Sequence, residues 1–281
     1  MAILLALGSA LVYGISDYVG GRSSRHVPPV LVALVAELVL LVVTASSIPL
    51  IESSGPSGAA IWWGMLGGAA GSLGVLGLYA ALSRGNMTVV APVTGLAAAV
   101  VPVGVGIALG DRPTAFAMLG IVVAIASVAL IGGIVRMGRE AVSVGLVAVS
   151  TLVGALFGLL FIAYAQTGDE AGLWPLLTSR FASTPLLIVA FVVLERRLPN
   201  RQDAAALPSG VAVGFLILLA NGLYLVSTRD ELLSIVAVLV ALYPASTVAL
   251  ASLLDHERPT RWQAIGMVLA AVAVTMITVG A

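Results

Sequence analysis

Ten stretches of roughly twenty apolar residues run along the chain, parted by short polar breaks: 3–23, 29–51, 60–83, 87–109, 114–136, 143–166, 172–194, 208–228, 232–254 and 260–280. A helix of about 20 residues crosses the hydrocarbon of a bilayer, whereas a barrel strand needs only about 9–11 and alternates apolar with polar positions. These windows are too long and too continuously apolar for strands. A helix also satisfies every backbone group without water. The pattern predicts an all-α integral membrane fold of ten transmembrane helices. The first window has no basic flank and no small-residue cleavage site, so it reads as a span rather than a removable signal peptide.

The pattern is duplicated. Asp111 to Ile131 (DRPTAFAMLGIVVAIASVALI) returns 146 residues later within Glu257 to Gly280 (ERPTRWQAIGMVLAAVAVTMITVG). Arg112, Pro113 and Thr114 match Arg258, Pro259 and Thr260, and Gly120 matches Gly266. Upstream, Gly77-Leu78-Tyr79 returns as Gly222-Leu223-Tyr224, and Val90-Ala91 as Val236-Ala237. The chain therefore reads as two homologous halves, 1–138 and 139–281, forming one membrane domain. Five is an odd number of spans, so the second half must enter the membrane inverted. Inverted repeats are a plan of secondary transporters, with the substrate site at the seam near the midplane.

Composition agrees. Of 281 residues 60% are apolar and 9% charged, where a soluble domain carries about 25% charged residues. Mean hydropathy is +1.14. Net charge is zero and no basic face exists for nucleic acid. The thirteen cations are all arginine. Cysteine is absent, and His26 and His256, the two histidines, fall in loops. The chain has no nucleophile elbow, zinc-protease motif, phosphate loop or dinucleotide fingerprint. It reads as no enzyme, with no cofactor and no metal, and the missing phosphate loop argues against ATP-driven pumping.

Ionisable groups inside a membrane are costly and are functional candidates by default. Three qualify. Glu37 lies about eight residues into span 2, and Arg180 occupies the repeat-equivalent position in span 7. If both face the symmetry axis they pair as a structural latch; otherwise one or both lie in the pathway. Asp17, two-thirds along span 1, has glycine at i+3 and i+4 and no cation there. It reads as an interfacial carboxylate, or as a proton-coupling group or amine ligand. Tyr79 and Tyr224 recur at equivalent positions, Asn221 precedes the latter by three, and Tyr164 and Tyr243 add polar-tipped aromatics; such residues line a mostly apolar pocket or pack the bundle. Pro92, Pro102 and Pro244 lie within spans and are hinge candidates, since an interior proline kinks a helix. Glycines 64, 67, 68 and 71 have small-xxx-small spacing for close helix packing. Trp62, Trp63, Trp174 and Trp262 stand near span ends, as in an aromatic belt.

Across nearly its full length the chain resembles the drug/metabolite transporter superfamily, in its bacterial EamA-type ten-helix branch. The resemblance is carried by Tyr13-Gly14-Ile15-Ser16-Asp17-Tyr18-Val19-Gly20-Gly21, by Arg84 to Val93, by Trp174-Pro175-Leu176-Leu177 with Arg180, by Leu242 to Val248, and by Glu257-Arg258 with Gln263 and Gly266. It implies alternating access between two five-helix repeats. It also implies export or exchange of small organic solutes (amino acids, other metabolites or amphiphilic drugs) across the bacterial inner membrane. The expected partners are a small-molecule substrate and the lipid bilayer. The oligomeric state is left open between monomer and oligomer. On this basis Asp17, Tyr79, Asn221, Tyr224 and Tyr243 are candidate substrate-binding residues. The competing expectation is a membrane scaffold or accessory subunit that keeps the fold without transport. Such a scaffold has a filled centre with Glu37 and Arg180 sealed together, whereas a carrier has a polar-lined cavity open to one side.

Two features depart from the resemblance. Asp255-His256 stands where a small residue and glycine precede Glu-Arg, and Asp230-Glu231 stands at a usual glycine-like break. Orientation is also in conflict. The loop arginines cluster opposite the termini, which the positive-inside rule reads as termini outside, while the family resemblance implies cytoplasmic termini.

Overall fold

A computed structural model describes residues 1–52, 54–84, 87–133, 143–196, 201–256 and 258–281; the side chains of 79–84, 87–89, 91 and 201–203 are not described. The helices are α1 (Ala2–Ser23), α2 (Pro29–Ile51), α3 (Gly58–Arg84), α4 (Met87–Leu109), α5 (Ala115–Gly132), α6 (Val144–Ala165), α7 (Trp174–Glu195), α8 (Leu207–Asp230), α9 (Leu233–Val240), α10 (Tyr243–Leu254) and α11 (Arg261–Gly280). Helices α9 and α10 together make the ninth span, so ten membrane-length spans are present among the described residues. The structure differs from the sequence expectation here: the ninth span is broken at Ala241-Leu242, and Pro244 lies in the first turn of the helix that restarts. Proline has no N–H to lose in a first turn.

The two sequence copies pack antiparallel on one another. Thr114 at the start of α5 donates to the carbonyl of Gly280 at the end of α11, 2.6 Å away, and Ser127 further along α5 donates to Gly266 O at 2.7 Å. Helices related by an axis along the membrane normal would run parallel, so this pairing makes the repeats inverted. Both copies start alike. Thr114 caps α5 by accepting from Ala117 N, and Thr260 caps α11 in a capping box with Gln263.

Small residues set the helix spacing. Gly64 and Gly68 of α3 lie against Thr178 and the backbone of Ser179 in α7, while Gly67 and Gly71 face Leu160 of α6. Gly210 and Gly214 of α8 lie against Val35 and Val39 of α2. Without a hydrophobic force between helices in lipid, such close approach and its dispersion contacts hold the bundle together. Trp62 is 75% exposed, whereas Trp174 donates its indole N–H to Ser54 O.

Candidate substrate site

One face of α1 shows where the bundle opens. Ala6, Ala10, Tyr13 and Asp17 follow one another at helical spacings of four, three and four. Ala6 is fully buried, Ala10 nearly so, Tyr13 half-buried and Asp17 exposed. The lipid-facing side of α1 is a different one, carrying exposed Leu4 and Leu11. Asp17 therefore opens into the interior of the bundle, toward the side opposite the termini. The ninth span changes in the same direction. All eight residues of α9, on the termini side, are buried, whereas α10 beyond the break has no buried residue.

One turn before Asp17 on this face the Tyr13 hydroxyl donates to Asn221 Oδ1 at 2.5 Å. The Tyr13 ring meets Phe161 edge-on at 6.1 Å and Tyr243 at 6.3 Å between centroids. Asp17 stands one helical turn beyond Tyr13 on the same face of α1. Close packing of α1 and α10 fixes this arrangement: Gly14 has no room for a Cβ beside Ser246, and the Ser246 and Thr247 hydroxyls donate to Ala10 O and Gly14 O. Of the residues singled out from the sequence, Asn221 and Tyr243 are thus brought together around Tyr13, with Asp17 one turn further along the same helix face. Tyr224 is fully buried behind them, donating to Phe161 O at 2.8 Å with its ring 4.8 Å from that of Phe161. The Tyr79 side chain lies outside the described residues, as does Glu257.

Glu37 and Arg180 form a buried ion pair at 2.6 Å. The Glu37 carboxylate also accepts from the Ser183 and Thr184 hydroxyls, and Arg180 donates to Ser179 Oγ and toward the Tyr164 hydroxyl. Nearly every lone pair and N–H here has a partner, which is the condition for burying such a pair without large cost. Sequence reasoning missed Tyr13, Phe161, Ser183 and Thr184. For Tyr13 the available signal was its spacing, four residues before Asp17 on one helix face.

On the termini side, carboxylates reach across the repeats. Glu52 accepts from Leu173 N at 2.7 Å, and Asp111 accepts from Ser234 N, also at 2.7 Å, in the first turn of α9. Arg229 donates to Gly172 O. On the opposite side Arg22 pairs with Asp255 at the rim. Pro92 and Pro102 lie in the unbroken helix α4. Elsewhere, an apolar groove of about 430 Å³ opens between the termini-side ends of α1, α2 and α8, lined by Leu5, Ile48, Leu176, Leu219 and Leu223 among others.

No curated protein shows significant sequence similarity to the chain. A crystal structure described only as that of a "protein" shares its fold over 99% of this chain and 96% of its own, with a TM-score of 0.78 at 15% identity. The model of the EamA-like transporter family matches residues 1–133 and again 144–279, one match per repeat. Multi-pass spans, paired repeats and two family matches over nearly the whole length agree: the chain belongs to the EamA-like transporter family, non-enzymatic carriers of small solutes.

Proposed function

We propose that the protein is a secondary transporter that exports or exchanges a small organic solute by alternating access, in the bacterial inner membrane. The single observation that carries this reading is the change in burial along the seam, from the packed α9 and Ala6 to the open α10 and Asp17. A passage closed at one end and open at the other is one of the two states such a cycle needs. In this reading Asp17, Tyr13, Asn221 and Tyr243 line the solute site, with Tyr224 and Phe161 holding it from behind. Glu37 and Arg180 lock α2 to α7 rather than bind solute, because their charges are already spent on one another and on Ser183 and Thr184. Pro244, at the break in the ninth span, serves as hinge, with Pro92 and Pro102 bending α4.

The scaffold reading has one observation in its favour, the sealed Glu37–Arg180 pair. It does not account for an exposed carboxylate on the inner face of α1. The deciding experiment compares internal solute pools in cells with and without the chain, followed by counterflow in proteoliposomes. A solute that exchanges saturably supports the carrier. Identical pools in both cell lines, with protein present in the membrane, sink it.

A further inference from the structure

The charges around the open end of the seam, where Asp17 is exposed, do not balance, and this bears on what the seam binds. Arg180, the one cation within the described part of the seam, is buried and neutralised by Glu37. Arg22, at the rim, is paired with Asp255. Asp17 has neither: among the described residues no cation and no hydrogen-bond donor reaches its carboxylate. One turn away on the same face of α1 stands Tyr13, whose ring lies 6.3 Å from that of Tyr243 and meets Phe161 edge-on. A carboxylate without a paired cation and with aromatic rings one turn away suits an ammonium group, which gains charge pairing from the acid and attraction to the ring quadrupoles together. The described cations near this face, Arg180 and Arg22, are both paired and offer nothing to the carboxylate of a zwitterion or an anion. Tyr13 cannot readily supply a hydroxyl donor in place of one, since its proton is committed to Asn221.

We infer that the open end of the seam takes a small organic cation, its ammonium seated between the Asp17 carboxylate and the rings of Tyr13 and Tyr243. The inference rests on the carrier reading and narrows its solute class. Tyr13 then has two tasks. Its ring faces the cation, and its hydroxyl, fixed by Asn221, keeps that ring in place.

The test is counterflow in proteoliposomes with three labelled probes: tetraethylammonium as the cation, leucine as the zwitterion and benzoate as the anion. Each is measured in the natural protein, in Asp17→Asn and in Asp17→Glu. Thermal melting and size-exclusion profiles of the variants verify that they fold. Tetraethylammonium should exchange saturably, fall at least tenfold in Asp17→Asn and recover in part in Asp17→Glu. Tyr243→Phe, which keeps the ring, should retain exchange, and Tyr243→Leu should lose it. Exchange of leucine or benzoate that Asp17→Asn leaves unchanged overturns the cation assignment while the carrier reading stands. Absence of tetraethylammonium exchange in folded protein also overturns the assignment; the carrier reading then depends on the solute-pool comparison alone.

Discussion

Gly120 of α5 faces Ile277 of α11, and the same contact recurs with the repeats exchanged, Gly266 against Ile131. A Cβ on Gly120 would stand 2.8 Å from Ile277 Cγ1, and one on Gly266 would stand 2.7 Å from Ile131 Cγ1. The glycine and the isoleucine of each half are repeat equivalents, 146 apart. One knob and one notch, duplicated and inverted, thus make a self-complementary helix pair, further joined by the Thr114–Gly280 and Ser127–Gly266 hydrogen bonds.

Filling either notch should destabilise the bundle by a similar amount. Gly120→Val and Gly266→Val should each cost about 1–3 kcal/mol, the usual range for overpacking. Trimming the knob should recover part of the loss, so Gly120→Ala with Ile277→Ala should be milder than the sum of the two changes alone. Thermal unfolding in detergent reads both. Strictly additive losses would mean that the two residues do not share one contact.

The Glu37–Arg180 pair predicts a stronger coupling. Removing one partner leaves a buried charge uncompensated, at about 3–5 kcal/mol, whereas replacing both by neutral residues of similar shape is much less costly. Glu37→Gln and Arg180→Gln should therefore each lower stability sharply, and the double variant should regain most of it. In the carrier reading the double variant also retains exchange, because the pair locks helices and binds no solute. A folded double variant that has lost exchange would place the pair in the pathway instead.

Much of this was legible in the sequence, for physical reasons. Hydrocarbon admits few backbone forms, so ten long apolar windows could hardly be anything but ten spans. The duplication aligned Glu37 with Arg180 before any coordinates, and opposite charges at symmetry-related points of a two-fold seam can meet. Ser183 and Thr184 were not legible as partners of Glu37. Hydroxyls in membrane helices commonly bond back to their own helix, as Thr44, Ser46 and Thr275 do here. The different fates of Tyr243 and Tyr224 were equally hidden. Both read as polar-tipped aromatics, and only the position of Phe161 puts one beside the opening and the other behind it. Nor could the prolines be ranked, since Pro92 and Pro102 are absorbed in a continuous helix while the ninth span breaks just before Pro244.

One departure from the family pattern has a structural outcome at His256. Its φ is +56°, in the left-handed region, and the repeat-equivalent residue is Gly110, at φ +119°. A non-glycine residue there costs about 1–2 kcal/mol, offset in part by the extra unfolded-state entropy of glycine. His256→Gly should therefore stabilise the protein by about 0.5–1 kcal/mol. The reverse change, Gly110→His, should destabilise it, because φ +119° suits glycine alone. Melting temperatures that move in the opposite directions would show that the His256 side chain contributes more than its backbone costs.

Asp111 supplies the most direct handle on the closed end of the passage. It belongs to the first repeat, yet its carboxylate accepts the Ser234 N–H in the first turn of α9, in the second repeat. A carboxylate at a helix N-terminus is favoured both by the unsatisfied N–H groups and by the helix dipole. Gly106 makes the approach possible, since a Cβ there would stand 2.5 Å from the carboxylate oxygen. A hydrogen bond to a charged group contributes about 1.5–3 kcal/mol, which corresponds to a shift of tenfold or more between two states. Asp111→Asn should weaken the closure and populate a form open on the termini side. The chain has no native cysteine, so a single reporter can be placed without background. Ser227, fully buried near that end of α8, is a suitable position. With Ser227→Cys alone, a membrane-impermeant thiol reagent should label slowly from the termini side; adding Asp111→Asn should raise the rate about tenfold or more. Unchanged labelling, in protein whose melting temperature is also unchanged, would mean that Asp111 merely decorates a junction held shut by the aliphatic packing of α9.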